Sequence, residues 1–406
     1  MTEPTPTRRS RRGRKALIAV PIVAAVLVGG SFVATKAADI LSPVDLAKVQ
    51  FEAPSKQGEL YPTRTLDAAA NPVVFPAGTD DLPDDVPWKG DRISVDEFLA
   101  TTNSRAMVVL RDGELVREWY ADGVSADSRL SSWSVAKSVI SLLIGQAIDA
   151  GKIAEDDLLV DLVPALAEGL DTSTDEGRGF AEITVRHLLD MTSNVDVSES
   201  YNEWWPFTGT ARMFITTDLP GFIGDHRRTT EAPGQTGNYL SANTQLLGMI
   251  LAEVEKTSVT DLVAERLWQP IGAQHAASWS LDREDGVEKS FCCLNASALD
   301  FAKIGQLVLD GGKVGEEQVV PAAWISRLST PAEHQVSDWG YSAQWWHPTG
   351  GRSADVTALG VYGQYVYVNP STRTVIVKLS DHGTEQDEAE TIDALRTLAG
   401  EDPTTP

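Results

Sequence analysis

The stretch Arg129-Leu130-Ser131-Ser132-Trp133-Ser134-Val135-Ala136-Lys137-Ser138 decides how this chain is read. It closes a polar loop and opens an apolar-periodic run from Val135 to Ala150, with Gly151 behind it as a helix stop. Ser134 and Lys137 stand three residues apart, so on a helix their side chains share one face, one turn apart. A serine hydroxyl is a weak nucleophile at neutral pH. An adjacent amine that has lost its proton, through burial or a cationic neighbour, can accept the hydroxyl proton. The first turn of a helix adds free N–H groups and a favourable field where negative charge would develop. The stretch therefore reads as a Ser-Lys nucleophile pair, although a Ser-x-x-Lys string arises about once by chance in a chain of this length.

The 406 residues allow one large domain or two ordinary ones, and the 42% apolar content is that of a globular protein. The net charge of −24, with basic residues crowded at the N-terminus, leaves the remainder strongly acidic and argues against nucleic-acid binding. Cys292 and Cys293 are the only cysteines, no His-Glu-x-x-His occurs, and six histidines are scattered, so neither a metal nor a cofactor is expected. The adjacent cysteines read as a buried thiol pair rather than a strained disulfide between neighbours.

Residues 1–15 form a basic segment, with Arg8, Arg9, Arg11, Arg12, Arg14 and Lys15, that is expected to stay in the cytoplasm. Ala16 to Thr35 then run without a charge, long enough to span a bilayer, and the basic cluster before them sets an N-in orientation. Residues 16–37 are expected to be a signal anchor, with a signal peptide cut near Ala37 as the alternative. Either way the bulk of the chain lies outside the cytoplasm, on the membrane or secreted. Residues 38–90, with scattered prolines and no sustained period, read as a stalk and lead-in.

Order is expected from residue 91. Ser94 with Glu97 is a capping signal, and Ile93 can staple onto Phe98. Ala106 to Leu110 and Glu114 to Tyr120 flank Asp112-Gly113, a hairpin signal. From about 151 to 334 the pattern is mainly helical, with runs at 183–193, Gln245 to Glu255, Val259 to Leu267 and Ala298 to Leu309. Strand patterns return at Gly340 to His347, Val356 to Val368 and Thr372 to Leu379, and an acidic amphipathic helix, about Glu385 to Leu398, closes the chain. The expected architecture is α/β plus all-α. An antiparallel sheet of five or more strands, from 91–150 and 335–400, is flanked by helices, and a helical region at 151–334 is inserted between its halves.

A second constellation is Tyr239-Leu240-Ser241-Ala242-Asn243, a loop feeding a helix. A tyrosine near an ammonium can shed or relay a proton, because the cation favours phenolate. A third is Ala358-Leu359-Gly360-Val361-Tyr362-Gly363-Gln364, where glycines in a strand suggest close backbone approach or a bulge. In this order and at these separations the three resemble the serine β-lactamase-related family. That family holds class C β-lactamases, D-alanyl-D-alanine carboxypeptidases, family VIII esterases and nylon-oligomer (6-aminohexanoate-dimer) hydrolases. The runs at 184–193, 246–258 and 294–312 support the resemblance, which covers about residues 90–400.

The resemblance implies a β-lactamase/transpeptidase-like fold and an acyl-enzyme on Ser134, activated by Lys137 and Tyr239. It places the oxyanion on the backbone N–H groups of Ser134 and Val361. The Tyr-x-Ser-x-Asn form and the "SESY" segment are most similar to the nylon-oligomer hydrolase branch, which makes Tyr201, Asn243, Gly360 and Trp346 substrate-binding candidates. Trp204, Trp205 and Trp345 are further candidates for an apolar pocket wall. The Lys-Thr-Gly or His-x-Gly triad of true β-lactamases and carboxypeptidases is replaced by Ala358-Leu359-Gly360, which removes the cation expected to bind a substrate carboxylate. The implied substrate is a small ester or linear amide. A cell-wall peptidase, a β-lactamase and a non-turnover surface sensor are the alternatives.

Overall fold

The computed structural model describes residues 29–199, 208–351, 354–383 and 387–401. Five helices and seven strands build the site and its support. The helices are α1 (Pro43–Phe51), α2 (Val135–Asp149), α3 (Ser241–Glu255), α4 (Ala298–Leu309) and α5 (Glu388–Leu398). The strands are β1 (Ser104–Arg111), β2 (Glu114–Tyr120), β3 (Gly340–Ser342), β4 (Trp345–His347), β5 (Val356–Gly360), β6 (Gln364–Asn369) and β7 (Thr374–Ser380).

The seven strands form one antiparallel sheet in the order β3-β4-β5-β6-β7-β1-β2, so the ends of the chain meet where β7 pairs with β1. Asp112 (φ 51°) and Gly113 (φ 80°) take the left-handed conformation that a two-residue hairpin turn requires. Side chains alternate across β1: Ala106, Val108 and Leu110 enter the main core, whereas Met107 and Val109 join a second cluster with Phe98, Leu395 and Leu398. The central strands are therefore covered on both faces, which is why they carry almost continuous apolar sequence. A smaller sheet of four strands, in the order Thr63–Leu66, Ala277–Ser280, Leu294–Ala296, Leu130–Ser131, lies at the start of α2. Helix α2 is buried from Val135 through Gly145, in keeping with its apolar sequence on every side.

Several expectations change. The strand pattern at Val356 to Val368 is a hairpin, β5 and β6, because residues 361–363 make a turn with Tyr362 (φ 67°) and Gly363 (φ 82°) left-handed. Gly340 to His347 is likewise two short strands, reversed at Ala343 (φ 46°) and Gln344 (φ 67°). Helix α3 begins at Ser241, four residues before the expected start. Residues 38–90 are not an irregular stalk. Ser42 caps α1 by accepting the Asp45 N–H, and Thr63–Leu66 pairs with Ala277–Ser280. Prolines there mark helix starts at Pro43 and Pro54, a role that scattered prolines do not reveal without their caps. Cys292 and Cys293 are joined by a disulfide. The left-handed backbone at Cys293 (φ 72°) lets neighbouring side chains meet, which adjacency alone did not suggest. Most of the expected membrane span lies outside the described residues, and no described helix is long and apolar enough to cross a membrane.

Closure of the fold depends on a buried ion pair between α5 and the segment before β5. Arg396 is 2% exposed; its Nε donates to Asp355 Oδ2 (2.9 Å), and its Nη1 and Nη2 donate to the carbonyls of Thr349 (2.9 Å) and Pro348 (3.1 Å). Removing one partner strands the other charge in the interior. Arg396→Met should lower the free energy of unfolding by about 3–5 kcal/mol, read from urea denaturation. A loss below ~1 kcal/mol would show that the pair does not hold the helix.

Candidate active site

Ser134 is the N-cap of α2, at the point where the short strand Leu130–Ser131 enters the helix. Trp133 before it is left-handed (φ 49°), which turns the chain sharply and leaves Ser134 partly exposed between buried neighbours. The indole of Trp133 stacks on Phe214 (centroids 5.3 Å), meets Tyr362 edge-on (4.8 Å) and donates its N–H to the Pro54 carbonyl (3.0 Å). The corner is thus clamped by residues from three parts of the chain.

One turn along α2, Lys137 is 1% exposed. Its Nζ donates to Ser134 Oγ (2.8 Å) and to the Phe291 carbonyl (2.6 Å). Desolvation pushes its pKa down to about 8, against an opposing pull from Glu199. Tyr239 stands just before α3, with its side chain hydrogen-bonded to that of Ser134. The Lys137 ammonium lies 5.2 Å from the Tyr239 ring centroid. Stacking on Trp346 (5.2 Å) and an edge contact with Tyr341 (6.2 Å) fix the ring.

The expected phenolate is not what this environment favours. Burial, reinforced by Glu199, holds the Tyr239 phenol above its ordinary value. Desolvation penalises the phenolate and the ammonium alike, and here it outweighs their mutual attraction. With a pKa of about 8 Lys137 is still mostly an ammonium at pH 7 but has a neutral fraction within easy reach, whereas the Tyr239 phenol stays neutral.

Opposite Ser134, the end of β5 approaches so closely that a Cβ at Gly360 would sit 2.6 Å from the Ser132 carbonyl oxygen and 2.9 Å from the Ser134 nitrogen. Glycine is required there by contact with the nucleophile's own backbone. Gly360 is thus buried against that backbone and does not line the cleft as a substrate contact; Val361, the next residue, does line it.

Ser134 opens into a cleft of about 1000 Å³. Its walls include Leu46, Val49, Phe214, Ile215, Trp339, Trp346 and Leu359, together with the carboxylates Glu199, Asp338, Glu388 and Glu390. Among the described lining residues there is no lysine or arginine. Among the described residues no cluster of His, Cys, Asp and Glu is arranged to hold a metal ion.

Ser134, Lys137, Tyr239, Val361 and Trp346 come together at this cleft. Asn243 does not. It is fully buried and ties α3 to residues 191–193, accepting a hydrogen bond from Ser193 and donating to Met191 Sδ (3.2 Å). Its place in the first turn of α3 turns the side chain inward, a direction the motif string does not specify. Trp345 is core, with no exposed surface. Tyr201, Trp204 and Trp205 lie outside the described residues. His382, just after β7, is mostly buried, and its backbone N–H donates to the Tyr362 carbonyl (3.1 Å).

Two groups of cleft residues escaped the reading of the sequence. Leu46, Val49 and Gln50 come from α1, whose start was legible as Ser42-Pro43-x-Asp45. Glu199 had no such signal. It accepts the Ser241 N–H (2.7 Å), the Ser241 hydroxyl (2.7 Å) and the Thr210 hydroxyl (2.8 Å), so it caps the first turn of α3 behind Tyr239.

The sequence is 29% identical over 349 residues to the 6-aminohexanoate-dimer hydrolase of Paenarthrobacter ureafaciens, covering 80% of this chain and 84% of that protein. The fold matches the solved structure of a candidate 6-aminohexanoate-dimer hydrolase from Bacillus anthracis with a TM-score of 0.75, at 21% identity over 85% of this chain and 92% of the other. It also matches EstCE1, a hydrolase with promiscuous acyltransferase activity, with a TM-score of 0.59 at 16% identity over 75% and 96% of the two chains. The Beta-lactamase family profile matches residues 95–401, and with that span the chain belongs to the Beta-lactamase family, as one of its serine hydrolases.

Proposed function

We propose that this hydrolase cleaves small esters or linear amides through an acyl-enzyme on Ser134. The observation that carries the reading is the Lys137 Nζ to Ser134 Oγ contact of 2.8 Å at the floor of a cleft whose described lining residues include carboxyl groups but no lysine or arginine. The neutral amine of Lys137 takes the hydroxyl proton as Oγ attacks the carbonyl carbon. The negative charge that forms on the carbonyl oxygen is met by the N–H groups of Ser134 and Val361. The Tyr239 phenol, hydrogen-bonded to Ser134, passes a proton to the departing alcohol or amine as the C–O or C–N bond breaks. Water then attacks the acyl-enzyme by the same route in reverse, and Ser134 regains its proton.

The substrate range follows from charge. A β-lactam or a D-alanyl-D-alanine end presents its carboxylate one carbon from the scissile nitrogen, and among the described lining residues no lysine or arginine is present to bind a carboxylate there. The 29% identical relative named for a linear amide dimer adds weight to unstrained amides.

We also propose that residues 16–35, charge-free behind the basic cluster, hold the hydrolase domain at the outer face of a membrane.

Ser134→Ala should abolish both ester turnover and labelling by a fluorophosphonate probe, and Lys137→Ala should cost at least ~100-fold in p-nitrophenyl ester hydrolysis. Among short-chain esters, 6-aminohexanoate dimer and nitrocefin, turnover of nitrocefin should be the poorest; if nitrocefin is the best substrate, the charge argument fails. Because the base is a neutral amine with a pKa of about 8, kcat/KM should rise about tenfold per pH unit below that value and level off above it. A profile already flat between pH 6 and 8 would remove Lys137 as the base. The full chain should stay with membranes through alkaline carbonate washing, and a chain lacking residues 1–37 should not.

A further inference from the structure

The turn that carries Val361 adopts a backbone its own residues do not favour. Tyr362 is a non-glycine residue at φ 67°, followed by Gly363 at φ 82°. We propose that Gln364 is the positioning residue that holds this turn, and with it the Val361 N–H, in the conformation the reaction uses. The inference rests on the acyl-enzyme reading above.

Gln364 has no exposed surface. Its Nε2 donates to the carbonyls of Val361 (3.2 Å), Tyr362 (3.1 Å) and Ser380 (2.7 Å), and its Oε1 accepts the Ser380 N–H (3.0 Å). The reason lies in the sheet. Pairing of β6 with β7 ends at Tyr365 and Lys378, and the β7–β1 register slips between Leu379 and Ser380. The Gln364 amide takes the place of the missing rung and spends its remaining donor capacity on the turn. Val361 is then held on both sides, by the Gly360–Gln364 pairing before it and by the amide on its own carbonyl after it. The plane that bears the Val361 N–H is flanked by the Gly360–Gln364 pairing on one side and by the plane of the held Val361 carbonyl on the other, so its rotation is opposed from both sides.

Ser380 is fixed in its own right. Lys378 Nζ donates to Ser380 Oγ (2.6 Å), and neither residue has exposed surface. This second serine–lysine contact is closed to substrate. It acts as a brace under the turn.

The test is Gln364→Met, which keeps the volume and removes every donor, with Gln364→Glu as a second variant that keeps an acceptor for the Ser380 N–H. Rates are normalised to the folded fraction by near-UV circular dichroism. For p-nitrophenyl butyrate, kcat should fall at least ~30-fold in either variant, on the scale of a weakened oxyanion donor, while KM stays within about threefold. Affinity for phenylboronic acid, which forms a tetrahedral adduct on the serine, should fall in step with kcat. The proposal is overturned if kcat stays within about threefold of wild type in a folded variant, or if KM rises as far as kcat falls. Failure of the underlying reading shows separately, as turnover that survives Ser134→Ala in the otherwise unaltered protein.

Discussion

Burial of the Lys137 amine next to Ser134 Oγ is the constraint to which the rest of the structure answers. An ammonium that is 1% exposed costs several kcal/mol unless it is partnered or gives up its proton. This fold does some of both. It supplies the Phe291 carbonyl as an acceptor and otherwise leaves the amine dry, so that its proton affinity falls toward neutral pH. Dryness requires a helix buried from Val135 through Gly145, and that requires the sheet on one side and α3 with its neighbours on the other. The depressed lysine is a product of the whole core.

A second condition is close approach. The Ser134 corner and the end of β5 come from segments more than two hundred residues apart, and they share a site only because β5 ends in glycine. At Gly360 the strand backbone touches the backbone of Ser132 and Ser134, and any Cβ would hold the two apart. Beyond this contact the described cleft wall combines apolar side chains, neutral polar groups such as Gln50 and Ser337, and carboxyl groups, with no lysine or arginine.

Much of this was legible in advance. The helix after Ser134, the Asp112-Gly113 hairpin, helix α4 and the return of strands after residue 335 follow from turns and periodicity, which are local. The readings that failed share a cause. Residues 38–66 looked irregular because their order comes from contacts with distant segments, such as Ser55 on Asp381 and Gly58 on Ser131. The β5–β6 turn was hidden because Tyr362 is an unusual residue for a left-handed position, held there by ring contact with Trp133 and by the His382 N–H on its carbonyl, both distant in sequence. Asn243 sits inside the motif string yet faces the core, since a motif records order and not direction.

The sequence by itself determined which groups can do chemistry: a serine and a lysine one helical turn apart, a tyrosine before a second helix, and a glycine strand without a neighbouring cation. Spacing along a helix and the chemistry of side chains are local properties, and one chain displays them. Only the tertiary structure decided their protonation, since desolvation and the field of Glu199 depend on what is packed around Lys137 and Tyr239. It also decided which residues face the cleft, because that is set by how helices and strands rotate against one another in a filled core.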